Sequence, residues 1–178
     1  LGSATKFCKY VIEKDKSYRA DLLFGPMTDT LDTYGTITEN QASRPHDSAE
    51  LVQILRQFQG TSLQVPPKYS ALKIDGERLY KLARADKEIP EIQAREIHIP
   101  AIELLGTRAD GITIEVACSA GTYIRSLARD IGQALGEKAI LSLLIRTDLD
   151  GHRLADSFIL EELETLIQEQ KLDKAIMD

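Results

Sequence analysis

The stretch of residues 118–130, with the sequence CSAGTYIRSLARD, contains the most informative charged residue of the chain. Its apolar residues recur at helical spacing, and if Thr122 caps that helix, Arg125 falls in the first turn. A cation there opposes the helix dipole at a cost of about 0.3–1 kcal/mol, so an anionic partner is expected. Two interpretations remain open. Residue types alone favour a structural salt bridge, and the alternative is an arginine that holds a catalytic carboxylate ionised or grips a phosphate.

Tyr18 is a second candidate, because it lies on the apolar face of an alternating segment that continues to Phe24. Alternation with a period of two predicts a strand, and Gly25-Pro26 predicts its end. A tyrosine on such a face is commonly part of the core. The functional alternative is a ring that stacks on an unstacked nucleobase.

Residues 66–73, with the sequence PPKYSALK, combine a stiff proline pair with an aromatic ring and two lysines. A rigid loop of this kind can bind a nucleic-acid backbone with little loss of entropy, although an ordinary surface loop fits the pattern equally well. Basic residues continue beyond it. Lys68, Lys73, Arg78, Lys81 and Arg84 cluster within one short stretch, which leaves a local basic strip open as an alternative.

Asp29 and Asp32 lie in a loop rich in Asp, Thr and Gly between Thr28 and Gly35. Two neighbouring carboxylates could form a metal site or an acid/base pair. Asp in such turns commonly accepts hydrogen bonds from its own loop, and we favour that interpretation. The two cysteines and three histidines show no zinc-binding spacing, so no metal site is predicted from them.

Several elements must position these residues. Asp47 with Glu50 resembles a capping box that opens a helix, and residues 96–119 have the pattern of a β-hairpin. A second helix follows Gly121-Thr122 and ends at Gly136, and a final helix uses Leu160 and the leucines that follow it. Strands and helices mix without regular alternation, which predicts an α+β fold.

Length and composition indicate one soluble domain over residues 1–178, with 43% hydrophobic and 28% charged residues. No apolar run is long enough to cross a bilayer, and we expect a cytoplasmic monomer. The formal net charge of −6 argues weakly against nucleic acid as a partner, but a basic strip can exist on an acidic body. The chain begins at Leu1, and we expect both ends to be truncated.

Several stretches together resemble the TruB-type tRNA pseudouridine synthases, which isomerise the T-loop uridine of tRNA. The matching stretches are residues 1–6, 16–18, 25–35, 67–73, 94–97, 118–130 and 144–147. They occur in the family's order, with closely matching gaps, over most of the chain. The resemblance implies a mixed, largely antiparallel sheet flanked by helices, a reaction without metal or organic cofactor, and tRNA as the partner.

The resemblance also implies catalytic roles for two residues. Tyr18 matches the active-site tyrosine that stacks on the flipped base and is a candidate to take a proton. Arg125 matches the arginine that pairs with the catalytic aspartate, which would explain a cation at a helix N-terminus.

Further positions are implied to bind the substrate. These are Asp32, Tyr69, Lys73, Tyr123 and Leu144. Leu144 matches an apolar residue that lines the base pocket, whereas Asp32 and Tyr123 match positions near the flipped nucleotides. Tyr69 and Lys73 would face the T stem-loop of the RNA.

The chain departs from the family in one decisive place, because it contains no Gly-x-Leu-Asp-Pro motif. The resemblance places that motif, with the nucleophilic aspartate, shortly upstream of Leu1. We therefore expect the 178 residues to be inactive alone, with the N-terminal segment as a possible partner. Two alternatives remain, a non-catalytic RNA-binding scaffold of the same fold and, given the pI of about 5.2, an acidic protein-interaction domain.

Overall fold

The main sheet has five antiparallel strands. The computed structural model describes residues 5–6, 11–74, 76–85 and 89–169. The strands of this sheet are β1 (Lys16–Phe24), β8 (Ala101–Arg108), β9 (Gly111–Cys118), β10 (Ala139–Leu149) and β11 (His152–Arg153). Their order across the sheet is β11-β10-β1-β9-β8. Strand β1 therefore lies in the middle, paired with β9 on one side and β10 on the other.

Three further strand pairs, all antiparallel, lie outside this sheet. They are β2 (Pro26–Thr28) with β3 (Ile37–Asn40), β4 (Gly60–Gln64) with β7 (Arg95–Ile99), and β5 (Lys73–Ile74) with β6 (Glu77–Arg78). The helices are α1 (Ser48–Gln57), α2 (Leu79–Arg84), α3 (Ile124–Ala134) and α4 (Leu160–Gln168), with a 3₁₀ turn at Leu154–Asp156. The predicted α+β class is confirmed.

The core lies between one face of the main sheet and helices α1 and α3. Alternation along β1 buries Ala20, Leu22 and Phe24, and the facing stripe of α3 buries Leu127 and Ile131. Each fully buried aliphatic side chain contributes about 1.5–3 kcal/mol relative to its exposed state. This packing fixes the position of α3, and with it the position of Arg125.

Strand β10 was not predicted, although it is the longest strand described. Its sequence begins AILSLLI, a continuous apolar run, and such a run does not distinguish a strand from a buried helical segment. Pairing with β1 over its whole length, from Ala139 to Leu149, makes it a strand.

The predicted hairpin over residues 96–119 is partly wrong. Strands β8 and β9 pair as expected, but the first predicted strand is interrupted at Pro100. Proline lacks the N–H that a ladder requires, so the chain changes sheet there and β7 pairs with β4 instead. The prediction that β1 ends before Gly25-Pro26 is confirmed, and Gly25 has a φ of 108°.

The capping box predicted for α1 is half correct. The side chain of Asp47 accepts a hydrogen bond from the backbone N–H of Ala49 at 3.0 Å, so it caps the helix as expected. The carboxylate of Glu50, however, accepts hydrogen bonds from Arg44 and lies 3.3 Å from His46 Nδ1. Glu50 therefore ties the preceding loop to the helix.

Candidate functional site

The N-terminus of α3 is held by strand β4 and the loop after it. The N-cap is Tyr123, so the predicted cap at Thr122 is wrong. The backbone N–H of Tyr123 donates to Gln64 Oε1 at 2.8 Å, and Ser126 Oγ donates to the carbonyl of Val65 at 2.9 Å. Because Gln64 is buried, its amide can take the capping role in place of a local side chain.

Arg125 lies in the first turn of α3, as predicted, and three groups accept hydrogen bonds from it. Nη1 donates to the carbonyl of Thr30 at 2.8 Å and to Asp32 Oδ2 at 3.2 Å. Nη2 donates to the carbonyl of Tyr69 at 2.7 Å. The expected anionic partner within the described residues is thus Asp32. A guanidinium has five N–H groups, and the bonds to the described residues engage three of them, so within that part of the chain Arg125 keeps donors for a further carboxylate.

Asp32 connects its own turn to this arginine. Its Oδ1 accepts hydrogen bonds from Thr30 Oγ1 at 2.6 Å and from the backbone N–H of Tyr34 at 3.0 Å. The prediction that this aspartate bonds its own loop is confirmed, and the second oxygen is directed to Arg125. The turn and the arginine therefore position each other.

The loop is attached to the main sheet through Leu31. The carbonyl of Leu31 accepts a hydrogen bond from the backbone N–H of Leu141 at 3.0 Å, and Asp32 forms an isolated parallel bridge with the same strand residue. Leu31 has a φ of 63°, a left-handed conformation that costs a non-glycine residue about 1–2 kcal/mol. Its buried side chain and its hydrogen bond to β10 offset this cost.

Asp29 joins the two loops whose carbonyls contact Arg125. Its Oδ1 accepts from the backbone N–H of Thr36 at 2.8 Å, as predicted for a turn aspartate. Its Oδ2 accepts from the hydroxyl of Tyr69 at 3.2 Å, a contact the sequence did not predict. A Cβ at Gly35 would overlap Asp29 Oδ1, so this turn requires glycine. Tyr69 is thus part of the support of Arg125, through both its hydroxyl and its carbonyl.

A cleft of about 500 Å³ opens beside Arg125. It is lined by Asp32, Thr33, Tyr34, Arg125, Leu141, Ser142, Leu143 and Leu144. Leu143 and Leu144 are 45% and 43% exposed, so the cleft has a partly open apolar wall in addition to its charged pair. Three predicted site residues, Asp32, Arg125 and Leu144, are brought together here from three separate parts of the chain.

Tyr18 lies on β1, adjacent to this cleft but not among the residues that line it. It pairs with Arg146 of β10, which makes it a diagonal neighbour of Leu144 on the same face of the sheet. The ring is half-buried and packs against the core, consistent with the structural interpretation. Burial raises the pKa of Tyr18 above its ordinary value; the Cys118 thiol adds to the rise and Arg146 opposes it. The ring is therefore a neutral phenol at physiological pH.

The remaining predicted residues are more dispersed. Tyr123 lies at the N-cap, two residues before Arg125. Lys73 is exposed on β5 and lines a different cleft of about 630 Å³, which also contains Arg78 and Lys81. The guanidinium groups of Arg78 and Arg84 lie 6.0 and 5.6 Å from the centre of the Tyr80 ring. Lys73, Arg78, Lys81 and Arg84 thus lie around one cleft, together with Glu77, whereas Lys68 lines another cleft.

Sequence reasoning missed two supporting residues. Gln64 has no recognisable pattern around it, because its role depends on the helix terminus that folding brings to it. Asp29 was noted only as a turn residue, and its contact with Tyr69 spans 40 residues of the chain.

Over the described ranges, no group of three or more His, Cys, Asp or Glu side chains is placed to hold a metal ion. Within the same ranges, no helix has the length and apolarity that crossing a membrane requires.

Comparison with known proteins identifies relatives of this chain. Residues 1–124 match the model of the TruB family pseudouridylate synthase N-terminal domain. A protein of Francisella tularensis subsp. tularensis strain WY96-3418, named tRNA pseudouridine synthase B, is 44% identical over 173 residues, which cover 97% of this chain and 57% of that protein. A protein of the same name from Francisella philomiragia shows the same identity and coverage. The chain thus spans little more than half the length of these relatives.

Solved structures show the same fold. A crystal structure of a Cbf5-Nop10-Gar1 complex contains a chain that matches with a TM-score of 0.67 at 24% identity, covering 98% of this chain and 44% of that one. An H/ACA RNP bound to a substrate RNA containing 2′-deoxyuridine matches with a TM-score of 0.63 at 21% identity, covering 98% and 43%. At these identities the matches establish the fold. With the family model matched over residues 1–124, the chain belongs to the TruB family of pseudouridylate synthases.

Proposed function

We propose that this chain is the greater part of the catalytic domain of a tRNA pseudouridine synthase that isomerises the T-loop uridine. The observation that carries the proposal is the setting of Arg125. Two loops, through Thr30 and Tyr69, fix its guanidinium at the edge of a cleft, and Asp32 uses only part of its donor capacity. This arrangement suits an arginine that must hold one more carboxylate in a defined place.

In the proposed reaction the bond between uracil N1 and ribose C1′ breaks and a bond between C5 and C1′ forms. C5 loses its proton and N1 gains one, so the net change is an isomerisation. The attacking aspartate belongs to the family's Gly-x-Leu-Asp-Pro motif, which the resemblance places before Leu1. Arg125 would keep that carboxylate ionised, because an adjacent cation favours the charged form.

The apolar wall of the cleft supports the same proposal. A detached uracil must be retained and kept from water while it turns, and Leu143 and Leu144 offer a surface that excludes water from one side of the base. Tyr18 would stack on the flipped base as a neutral ring. Asp32 and Tyr123 would contact nucleotides near the target.

The T stem-loop of tRNA is the proposed partner. Lys73, Arg78 and Lys81 line one cleft and outnumber the carboxylate of Glu77 there, so the cleft is cationic on a chain whose net charge is −6. Binding that depends on such contacts weakens steeply with salt, because each phosphate contact releases counterions. Lys73 and the loop carrying Tyr69 would lie along the RNA backbone.

Tritium release from a T-loop RNA hairpin labelled at uracil C5 tests the proposal. The protein is this chain preceded by the family's Gly-x-Leu-Asp-Pro segment, and release should disappear when the aspartate of that segment is replaced. Arg125→Ala should lower the rate by at least about 100-fold, as expected when a charge is removed from a preorganised site. Binding of the hairpin without any release would favour the alternative, a non-catalytic RNA-binding scaffold.

Arg129 supplies the matched control. It lies one turn later on α3, is exposed to a similar degree and pairs with Asp130 instead of Asp32. Arg129→Ala should retain most of the activity. If Arg125→Ala and Arg129→Ala lost activity equally, the special role of Arg125 would be wrong.

A further inference from the structure

Tyr34 is 97% exposed, the greatest exposure among the large apolar side chains of the described residues. Single exposed apolar residues are common on protein surfaces and need no explanation by themselves. The position of Tyr34 is what distinguishes it, because it lines the same cleft as Arg125, Asp32 and Leu144.

The backbone around Tyr34 is well anchored. Its own N–H donates to Asp32 Oδ1 at 3.0 Å, and the N–H of Gly35 donates to the carbonyl of Asp32 at 3.4 Å. The next residue, Thr36, donates its N–H to Asp29 at 2.8 Å. An exposed ring is therefore presented by a turn that is fixed on both sides, which lowers the entropy cost of binding a ligand to it.

Asp32 also couples this ring to the charged centre. One carboxylate oxygen holds the backbone of Tyr34 and the other accepts from Arg125 at 3.2 Å. The cleft is thus lined by a guanidinium, by two partly exposed leucines and by an almost fully exposed aromatic ring. A chain of unpaired nucleotides with one base in the cleft would bring an adjacent base close to that ring.

We propose that Tyr34 is a stacking platform for an unpaired nucleobase next to the nucleotide whose base occupies the cleft. The inference rests on the proposed function, because it takes the cleft beside Arg125 to be the base pocket. Every base has a π-face, so aromatic rings bind unpaired nucleotides without requiring a particular sequence. The contribution of the ring is apolar, and it should therefore be independent of the phosphate contacts made elsewhere.

Fluorescence anisotropy with a labelled T-loop hairpin, measured at several salt concentrations, tests the proposal. Tyr34→Ala should weaken binding by about 5- to 100-fold, the range that alanine substitution at a base-stacking aromatic produces. Tyr34→Phe should bind within about twofold of the wild type, since stacking requires the ring and not the hydroxyl. The slope of log affinity against log salt should be the same for all three proteins, because no phosphate contact is removed.

Leu63→Ala is the matched control. Leu63 is 72% exposed on β4 and is not part of the cleft, so its loss removes exposed apolar surface without touching the proposed platform. It should bind RNA as the wild type does. Because Tyr34 is almost fully exposed, the far-UV circular dichroism of Tyr34→Ala should match that of the wild type.

A second measurement locates the partner base. The base analogue 2-aminopurine, placed next to the target uridine, should be quenched by the wild type and by Tyr34→Phe but much less by Tyr34→Ala. Equal affinity and equal quenching for the wild type and Tyr34→Ala would overturn the proposal, as would equal losses in Tyr34→Ala and Tyr34→Phe.

The tritium assay separates this proposal from the proposed function. Release by the extended protein together with unchanged binding by Tyr34→Ala overturns the stacking role alone. Loss of binding in Tyr34→Ala without any release by the wild type supports stacking and contradicts the isomerase assignment. Absence of RNA binding by the wild type overturns both.

Discussion

Replacing Glu137 with glutamine should destabilise the fold by about 2–4 kcal/mol, even though the residue does not line the cleft beside Arg125. Its side chain is 3% exposed and lies just after α3. Glu137 Oε1 accepts from the backbone N–H of Arg44 at 3.0 Å and lies 3.3 Å from His46 Nε2, while Oε2 accepts from Gln41 Nε2 at 2.8 Å. One buried carboxylate thus anchors the whole loop between β3 and α1.

The magnitude follows from what glutamine can still do. Its amide keeps one oxygen acceptor, but its NH₂ group replaces an acceptor with a donor that must face Gln41, Arg44 or His46. A hydrogen bond to a charged group contributes about 1.5–3 kcal/mol net, and a buried donor left without its acceptor costs about 1–3 kcal/mol. Because glutamine keeps the shape of the side chain and one acceptor, the expected loss of stability is smaller than the sum of these two costs.

The pH dependence has a definite sign. Burial by itself would raise the pKa of Glu137, but hydrogen bonds from the Arg44 backbone and from the Gln41 and His46 side chains outweigh it and hold the pKa below its usual value. A carboxyl group with a lowered pKa in the folded state stabilises the protein above the unfolded pKa of about 4.3, and this contribution is lost as the pH falls through the folded value. The difference between wild type and Glu137→Gln should therefore be constant near neutral pH and should shrink in acid.

Urea unfolding followed by far-UV circular dichroism measures this difference, because the chain contains no tryptophan for fluorescence. Glu50→Gln is the control. The Glu50 side chain is 36% exposed and its main partner Arg44 is 54% exposed, so the loss of this solvent-screened pair should change the stability much less than Glu137→Gln does. A Glu137→Gln protein within about 0.5 kcal/mol of wild type, or a difference that grows in acid, would refute the reasoning.

Two further substitutions test the support of the site. Tyr69→Phe removes the hydrogen bond to Asp29 but leaves the carbonyl that contacts Arg125. Tritium release should slow by about fivefold, the effect of one ordinary hydrogen bond, with little change in stability. An unchanged rate would show that the two loops do not need this link. Gln64→Leu removes the acceptor of the Tyr123 N–H and should lower the unfolding free energy by about 1–2 kcal/mol and slow tritium release. Unchanged unfolding in urea together with unchanged tritium release in Gln64→Leu would rule out the capping role.

Local pattern was enough to predict the elements that carry the two catalytic candidates. Alternation in the segment from Tyr18 to Phe24 predicts β1, and the helical stripe after Tyr123 predicts α3 with Arg125 in its first turn. These patterns work because the side-chain period of a strand or helix is a property of the backbone itself, whatever the rest of the chain does. The α+β class followed from the same reasoning.

Contacts between residues distant in sequence decide which strands pair with one another. Strand β10 is a strand because β1 pairs with it, and β7 leaves the predicted hairpin at Pro100 to pair with β4. No local period encodes either choice. Pairing partners are selected by which buried faces fit together over the whole molecule.

In the candidate site, too, the sequence predicts some features and the tertiary structure decides the others. The sequence alone indicated that Arg125 needs an anionic partner, because a cation in the first turn opposes the helix dipole. That Asp32 is a partner, and that Thr30 and Tyr69 turn their carbonyls to the same guanidinium, depends on loops separated from Arg125 by 56 to 95 residues. Sequence determined the residue types and the local geometry, and only the tertiary structure decided which groups meet, because hydrogen bonding across such distances depends on how the core packs.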